Sequence, residues 1–397
     1  MKHFNVAIVG VGGRSHGLYN ALKHREYVNI VALADVYEDK CEALAKKIVE
    51  DGRKYPKIYV DYKKCLDETK PDVVVIATAW EYHLDVCTYA MERGIVAACE
   101  VGGAFSMQSL WELVRCYERT KTPVMLLENG CYSRIKLLTL NLKRKGLLGE
   151  MVHCEGQYRH DLREEVCKGK ENRHYRLQHY IHRNAENYPT HEIGPIAKLL
   201  DINCGNRFLS LVSVGSKAAG LEQYAKDKNI EYLKGVRFNQ SDVVSTIIKC
   251  QNGETVSIAL DTSLPRYYAR GFIAQGTKGL VSEDLNCVYL DDENPGEEKF
   301  WHEIANNIDG YYEKHEHPIW VGYNPGKEGH GGIDVLVFDD MFRALDEGKP
   351  MPIDVYDMAT WMAISVLSEE SMATGKTVYF PDFTDGKWIH KKNEFCR

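Results

Sequence analysis

The stretch "FNVAIVGVGGRS", residues 4–15, decides the fold of the first third of the chain. Its branched apolar residues are typical of a buried parallel strand, and they lead directly into Gly10, Gly12 and Gly13. The spacing is G-x-G-x-x-S, because Ser15 takes the place of a third glycine, and a helical pattern follows. Glycines let a backbone approach a phosphate closely, and a helix start supplies N–H donors. The motif therefore predicts a phosphate-binding loop; the alternative is a tight turn that binds no nucleotide.

The second strand favours the phosphate-binding interpretation. "VNIVALAD" (28–35) ends in Asp35, about twenty residues beyond Gly12, which is the spacing of a carboxylate that binds ribose hydroxyls. Because such a carboxylate repels a 2′-phosphate, the sequence predicts NAD as the cofactor and not NADP.

Strand-like runs continue at 70–83, 94–103 and 122–134, with helical segments between them. Repeated βα units predict a parallel sheet that binds ligands at the carboxyl ends of its strands. Trp80, His83, Glu100 and Asn129 lie at such ends. Any one of them is explained by a cap or a turn, but four together indicate a pocket. We predict an α/β Rossmann domain over residues 1–130.

The pattern changes near residue 150, where short alternating strands begin. "QNGE" (251–254) predicts a hairpin turn, because Asn-Gly tolerates the positive φ angles of a type I′ turn. We predict an α+β C-terminal domain over 131–397 with a mainly antiparallel open sheet. Helical patterns over about 333–375 are predicted to pack back toward the first domain.

Polar aromatic and basic residues are concentrated in four stretches of this second part. They are "YRHDLR" (158–163), "HYRLQHYIHRN" (174–184), "YPTH" (188–191) and "PRYYAR" (265–270). Any single one fits a solvated surface, whereas the whole cluster supplies the phenol, imidazole and guanidinium groups that bind sugar hydroxyls. The stretch "YPTH" also predicts the start of a helix, with Thr190 as its N-cap.

Composition and charge exclude several classes of protein. The 397 residues carry a net charge of −7, which gives no basic footprint for nucleic acid. No apolar run approaches the length of a membrane span, and the N-terminus enters a strand too early for a signal peptide. Twelve cysteines include no C-x-x-C pair. We therefore expect a reduced, cytoplasmic protein without a metal site.

The two-domain layout resembles the glucose–fructose oxidoreductase/inositol dehydrogenase/MocA superfamily, and most closely the NAD-dependent glycosidases of glycoside hydrolase family 109. The motifs that carry this resemblance span nearly the whole chain. They are "WEYH" (80–83), "CEV" (99–101), "ENGCYSR" (128–134), "YRHDLR", "YRLQH" (175–179) with "HRN" (182–184) and "YPTHEIGP", "PRYYAR" with "QGTKG", and "GHGGIDV" (329–335). Superfamily dehydrogenases usually carry Glu-Lys-Pro near residue 100 and an aspartate four residues before the catalytic histidine. This chain has Glu100-Val101-Gly102 and Asn187, and both departures fit the glycosidase branch.

The resemblance, together with the glycine pattern, implies a set of cofactor and sugar contacts. The cofactor-binding positions are Gly10, Gly12, Gly13, Arg14, Asp35, Trp80, Glu81, His83, Glu100, Val101 and Asn129. The substrate-binding positions are Tyr158, Arg176, Tyr188, Pro189, Thr190, His191 and Tyr268. Tyr158 matches the proposed catalytic base, and His160 and His191 are its catalytic neighbours.

The family resemblance implies hydrolysis of N-acetylgalactosaminide-like glycosides with a tightly bound, recycled NAD. The sugar is oxidised at C3, deprotonated at C2, loses its aglycone, adds water and is reduced again. Tyr158 needs a nearby cation, such as Arg163 or Arg176, because an unperturbed phenol has a pKa of about 10. The division of acid and base roles between Tyr158, His160 and His191 stays open.

Two other functions compete with this one. An NAD-dependent sugar or polyol dehydrogenase would accumulate NADH, and a non-catalytic NAD or sugar sensor would release no product. The predicted partner in each case is a small molecule, and a homo-oligomer is possible because assemblies are common in the superfamily.

Overall fold

A computed structural model describes residues 2–293, 305–326 and 329–396. Contacts divide the chain into two compact units. The first comprises Met1–Tyr132, Asn324–Thr360 and Glu394–Arg397, and the second comprises Ser133–Tyr323 and Trp361–Asn393.

The first unit contains a six-stranded sheet in which every neighbouring pair is parallel. Its strands are β1 (Phe4–Val9), β2 (Val28–Ala34), β3 (Lys57–Tyr59), β4 (Val73–Ile76), β5 (Val96–Cys99) and β6 (Val124–Leu126). The intervening helices are α1 (Gly13–Leu22), α2 (Glu38–Glu50), α3 (Tyr62–Thr69), α4 (His83–Met91) and α5 (Met107–Thr120). The strand order is β3-β2-β1-β4-β5-β6. The order reverses between β1 and β4, and ligands bind at such a switch point, beyond the carboxyl ends of the strands. The predicted Rossmann architecture is confirmed.

The second unit contains an eight-stranded sheet in the order β13-β12-β11-β7-β10-β9-β8-β14. Its strands are β7 (Met151–Arg159), β8 (Phe208–Gly215), β9 (Val243–Cys250), β10 (Thr255–Asp261), β11 (Ile273–Gly276), β12 (Gly279–Ser282), β13 (Cys287–Leu290) and β14 (Val378–Tyr379). The β7–β10 pair is parallel and the other pairs are antiparallel. The predicted α+β domain with a mainly antiparallel sheet is therefore also confirmed.

Helices accompany this sheet along the chain. They are α6 (Arg134–Arg144), α7 (Arg163–Cys167), α8 (Arg176–His182), α9 (Thr190–Leu199), α10 (Gly220–Asp227) and α11 (Ile308–His315). Helix α9 packs directly on β7, and Gly156 makes this close approach possible. A Cβ atom at Gly156 would lie 2.6 Å from the carbonyl oxygen of Glu192. The glycine therefore fixes how near α9 lies to the end of β7.

The last two helices are α12 (Ile333–Glu347) and α13 (Val355–Thr374). The sequence boundary near residue 130 assigned both helices to the second domain, with the prediction that they pack back toward the first. In the structure, residues 324–360 belong to the first unit. The physical reason is that α12 packs on α1 and that Asp334, in its first turn, forms an ion pair with Arg14.

One local expectation is wrong. Thr190 does not cap α9, because the helix begins at Thr190 and the preceding residue is Pro189, with no side-chain cap. The Thr190 hydroxyl is instead fully buried and has no hydrogen-bond partner among the described residues.

Candidate active site

The loop after β1 is shaped by Gly10. Its φ angle is +87°, and a Cβ there would lie 2.4 Å from the backbone of Ala77 and Thr78. No other residue fits this position without displacing the end of β4. Gly12 and Gly13 have open space where a Cβ would stand. The loop is thus tightly packed at its first glycine and open at the other two. The open space at Gly12 and Gly13 is what a ligand needs in order to approach the backbone.

Asp35 lies at the end of β2 and is hydrogen-bonded to the glycine loop. Its carboxylate accepts the backbone N–H of Val11 at 2.6 Å and that of Tyr37 at 2.9 Å. The acidic group predicted to bind ribose hydroxyls is therefore anchored beside the loop predicted to bind phosphate.

Arg14 joins the glycine loop to two carboxylates. Its guanidinium forms ion pairs with Glu100 at 2.8 Å and with Asp334 at 2.6 Å. Asp334 also accepts a hydrogen bond from the Asn129 amide at 2.8 Å and lies 3.1 Å from the His330 ring. Three sequence-predicted residues, Arg14, Glu100 and Asn129, are thus brought into one network. Its central acceptor, Asp334, was not predicted.

The electrostatics of this network follow from burial and pairing. Burial raises the pKa of Glu100, although Arg14 opposes the shift. Burial alone would also raise the pKa of Asp334, but hydrogen bonds from His330 and Arg14 hold it below its usual value. Asp334 therefore stays ionised, and the Arg14 guanidinium is paired with the carboxyl groups of Glu100 and Asp334.

Trp80 and Gly102 explain the departure from Glu-Lys-Pro. A Cβ at Gly102 would lie 2.6 Å from the Trp80 indole ring. The tryptophan therefore occupies the space that a proline at 102 would need. Val101 is buried, and Glu81 lies exposed in the turn beside Trp80.

His83 begins α4 and is almost fully buried. Burial lowers its pKa to about 4, so its ring is neutral at physiological pH. Nε2 lies 3.0 Å from the carbonyl oxygen of Thr78 and must carry the proton of the neutral ring. Nδ1 is therefore an acceptor, and it has no hydrogen-bond partner among the described residues.

The residues of this unit fit a dinucleotide. Helix α1 begins at the loop without a side-chain cap, which leaves its first N–H groups to bind an anion. Val36 and Val60 follow β2 and β3 with exposures of 75% and 57%, and they offer an apolar surface to a base. The open space at Gly12 and Gly13 lies directly at the start of α1.

The second unit gathers aromatic rings at the end of β7. Tyr158 packs against Tyr188 and His191, with ring centroids 4.7 and 5.5 Å away. Its hydroxyl lies 3.3 Å from Nδ1 of His160, and the His160 ring packs on Tyr268 at 5.2 Å. Five predicted substrate or catalytic residues therefore form one cluster.

Two arginines surround this cluster. Arg270 lies 5.1 Å from the Tyr158 ring centroid, and Arg176 lies 5.1 Å from that of Tyr188. Arg163, which the sequence suggested as a cation for the phenol, is instead bound by both oxygens of Asp161. Arg270 therefore lies over the Tyr158 ring, and Arg176, which the sequence also suggested as a cation for the phenol, interacts electrostatically with Tyr158.

His160 is held in its neutral form. Burial lowers its pKa, and the nearby Arg176 lowers it further. A neutral ring can accept the proton of the Tyr158 hydroxyl at Nδ1. Pro189 and Thr190, which lie between Tyr188 and His191 in the sequence, are both buried, and Thr190 has no exposed surface.

Two family models match this chain. "Glycosyl hydrolase 109, C-terminal domain" matches residues 132–390, and "Oxidoreductase family, NAD-binding Rossmann fold" matches residues 4–127. The chain belongs to glycoside hydrolase family 109. Its first unit is an NAD-binding Rossmann domain.

Relatives of this family 109 chain are similar over nearly its whole length. A glycosyl hydrolase family 109 protein of Stenotrophomonas maltophilia is 36% identical, covering 100% of this chain and 92% of the relative. The alpha-N-acetylgalactosaminidases of Tannerella forsythia and Shewanella oneidensis are 37% and 34% identical, covering 98% and 99% of this chain and 88% and 87% of theirs. Membership of this family, together with the NAD-binding unit, supports an NAD-dependent glycosidase.

Solved structures share the fold of this family 109 chain at lower identity. Levoglucosan dehydrogenase in complex with NADH and levoglucosan matches with a TM-score of 0.69 and 19% identity, covering 96% of this chain and all of that one. Myo-inositol 2-dehydrogenase of Lactobacillus plantarum matches with a TM-score of 0.67 and 14% identity, covering 96% of this chain and 100% of that one. At these identities the likeness establishes the fold alone.

Sequence reasoning missed several residues of this family 109 site. Asp334 lies in "GHGGIDV" and Arg270 ends "PRYYAR", so both stood in quoted motifs without an assigned role. The buried carboxyls of Glu186 and Glu192 flank "NYPTH" and were also missed. In the described parts of the chain, no group of three or more His, Cys, Asp or Glu side chains is arranged to hold a metal ion. None of the helices described there is long and apolar enough to cross a bilayer.

Proposed function

We propose that this chain hydrolyses the glycosidic bond of α-N-acetylgalactosaminides and keeps its NAD tightly bound through repeated turnovers. The names of its relatives support the sugar and the linkage. The observation that carries the proposal is the cluster around Tyr158, in which a phenol contacts a neutral imidazole and lies beside a guanidinium. With the imidazole and the guanidinium beside it, the phenol can remove a proton from a carbon of the sugar.

When bound, NAD would supply reversible oxidation at C3 of the sugar. A carbonyl at C3 acidifies the proton at C2, and loss of that proton lets the aglycone leave from C1. Water then adds to the unsaturated sugar, and the C3 carbonyl is reduced again. Because oxidation and reduction cancel within one turnover, the net reaction is hydrolysis and no external redox partner is consumed.

Tyr158 takes the C2 proton in this proposal. Its hydroxyl proton passes to Nδ1 of His160, which is neutral and in contact with it. Arg270 stabilises the phenolate that forms, because it lies over the same ring. His191 handles the proton of the 3-hydroxyl, since imidazole titrates near neutrality.

The remaining groups orient the sugar. Arg176 and Tyr188 are held together by a cation–π contact, and Arg176 forms an ion pair with Glu165 at 3.1 Å. Tyr268, at 53% exposure, presents a ring to solvent beside His160. Aromatic faces and guanidinium donors are suited to a pyranose with an acetamido group.

An NAD-linked sugar dehydrogenase is the rival function. Its usual lysine is replaced by Val101, and the adjoining space is filled by Trp80 against Gly102. The chain therefore has no lysine at that position for proton transfer during a dehydrogenase cycle.

A panel of aryl glycosides, assayed without added NAD, tests the proposal. We expect aryl alcohol to be released from the α-N-acetylgalactosaminide over many turnovers, with no accumulating absorbance of reduced nicotinamide. Heat-released cofactor should be NAD in near-stoichiometric amount. Stoichiometric NADH production that stops without added NAD would establish the dehydrogenase instead, and ligand binding without product would establish the sensor.

We further propose a cytoplasmic location and a homo-oligomeric state. All twelve cysteines lie in the described residues and none of them forms a disulfide, which fits a reducing compartment. Val212, Val214 and Ile247 lie on neighbouring strands of the second sheet with 37%, 67% and 55% exposure. A second copy of the chain could cover this face, and light scattering of the purified protein tests it.

A further inference from the structure

Two carboxyl groups lie buried beneath the tyrosine–histidine cluster and have no role in the chemistry above. Glu186 has no exposed surface and Glu192 has 2%. The two groups are within hydrogen-bonding reach of each other. Within the described residues, no N–H or O–H group donates to any of their four oxygens. Backbone N–H groups of Tyr188, Leu260 and Tyr158 come near them, but without hydrogen-bond geometry.

Two ionised carboxylates cannot persist in this position. A buried carboxylate that accepts no hydrogen bond is strongly disfavoured, and a second like charge in contact with it adds to that cost. A proton between the two oxygens removes one charge and gives the remaining carboxylate a strong hydrogen bond. Burial accordingly raises the pKa of both groups.

The pair also has a special place along the chain. Glu186 and Glu192 are the two ends of the segment "ENYPTHE", which presents Tyr188 and His191. Glu192 lies in the first turn of α9, and its own carbonyl packs on Gly156 of β7. A hydrogen bond between the two carboxyls therefore joins the two ends of this segment.

We propose that Glu186 and Glu192 share one proton and so hold closed the segment that positions Tyr188 and His191 against Tyr158. They are positioning residues and do not touch substrate. The part that concerns catalysis rests on the proposed function, whereas the shared proton does not.

The surroundings of the pair offer few other charges. Arg270 is the cation that faces Glu192. Tyr158 on β7 and Tyr188 and His191 on the segment itself are the other titratable groups nearby. Helix α13 contributes two hydroxyls, which bind the backbone of Glu186 and not its carboxyl: Ser365 and Ser368.

Infrared spectroscopy at neutral pH tests the shared proton without substrate. Wild-type protein should show a protonated-carboxyl band that is lost in Glu186→Gln and also in Glu192→Gln, because the glutamine amide then donates to the remaining carboxylate. Glu369→Gln, which alters a half-exposed carboxylate paired with Arg183, should keep the band. A band that survives both single substitutions would overturn the proposal.

The pH dependence of unfolding gives a second readout. A carboxyl with a raised folded pKa contributes stability that is complete below its unfolded pKa and is lost as pH rises through the folded value. Glutamine does not titrate, so the Tm of Glu192→Gln relative to wild type should rise by at least about 2 °C from pH about 5 to pH about 9. Glu186→Gln should behave alike, and Glu369→Gln should stay level. A relative Tm that falls with pH would mean that both carboxylates are ionised in the folded chain.

Kinetics separate positioning from mere stability. Because glutamine preserves the hydrogen bond and alanine does not, Glu192→Gln should keep kcat within about threefold while Glu192→Ala loses at least about tenfold. Affinity for NAD should be unchanged in both. The alkaline limb of the kcat profile should extend to higher pH in Glu192→Gln. Equal losses in the two variants would remove the positioning role, and the infrared result would still report on the proton.

Discussion

Tyr158 is the residue on which the proposed chemistry depends most. Replacement by phenylalanine removes the hydroxyl that contacts His160 and keeps the ring packed on Tyr188. General acid–base catalysis contributes typically about 10²–10⁴-fold, so we expect a loss of that size in kcat. NAD should remain bound, because Tyr158 lies outside the NAD-binding domain that matches residues 4–127.

The measurement is the rate of aryl glycoside hydrolysis, with released cofactor quantified in parallel. Tyr379→Phe is the matched control, because Tyr379 is 74% exposed on β14. A Tyr158→Phe variant with nearly wild-type kcat would take this residue out of the mechanism.

The buried His83 makes the free energy of unfolding depend on pH. Burial lowers its folded pKa to about 4, from an ordinary value of 6.5. A lowered pKa means that its contribution is complete above pH 6.5 and is lost as pH falls toward 4. At about 1.4 kcal/mol per pKa unit, the free energy of unfolding should fall by about 3 kcal/mol across this window.

Denaturant unfolding at a series of pH values measures this slope. His83→Gln should flatten it, whereas His390→Gln, at an exposed position, should not. An equally steep slope in His83→Gln would assign the acid sensitivity to other groups.

At the scale of elements, the junction of β1 and α1 separates two roles of glycine. Gly10→Ala forces a Cβ to within 2.4 Å of the backbone of Ala77 and Thr78, just after β4, at a φ of +87°, so we expect a destabilisation of more than about 1 kcal/mol. Gly12→Ala meets nothing within 4 Å and adopts an ordinary backbone conformation. It should fold normally but bind NAD at least about tenfold more weakly, because the methyl group would stand where the glycine loop is predicted to approach the cofactor.

Thermal unfolding and calorimetric titration of NAD with the two variants distinguish these roles. If Gly12→Ala binds NAD as tightly as wild type, the loop does not contact the phosphates as proposed.

Strand β7 carries Tyr158 and helix α9 carries His191, and the two elements approach closely at Gly156. Gly156→Ala pushes its Cβ against the Glu192 carbonyl and Ile196, so both Tm and kcat should fall, with kcat reduced at least about tenfold. Gly310→Ala is the control, since nothing lies within 4 Å of its Cβ position in α11. Unchanged kcat in Gly156→Ala would show that this contact does not govern the chemistry.

At the scale of the whole molecule, the sequence predicted features that depend on local patterns and missed contacts between residues that are far apart in the chain. The glycine loop, the Asp35 strand end and the alternating strands of the second sheet are all encoded within short windows, so sequence alone predicted them. Asp334 contacts Arg14 although the two residues are more than three hundred positions apart in the sequence. No local hydrophobic pattern predicts that contact. Arg270, a cation beside Tyr158 that sequence reasoning missed, is brought to the phenol by the pairing of Arg159 with Ala269. Only the folded chain shows this register.

The family resemblance supplied the assignment of chemistry that patterning could not. Phenol, imidazole and guanidinium groups are common on protein surfaces, and their spacing along the chain does not bring them together. The structure does so for Tyr158, His160, Tyr188, His191 and Tyr268. It also separates Arg163 from them, because Asp161 binds its guanidinium.

The most direct measurement follows the hydrogens of the sugar. An aryl α-N-acetylgalactosaminide carrying deuterium at C3 is hydrolysed in ordinary water, and its unlabelled counterpart is hydrolysed in deuterated water. We predict that deuterium stays at C3 in the first product and enters C2 in the second, with no net reduced nicotinamide. A product that keeps its original hydrogen at C2 would contradict the account, because the bond would then have broken without the temporary carbonyl.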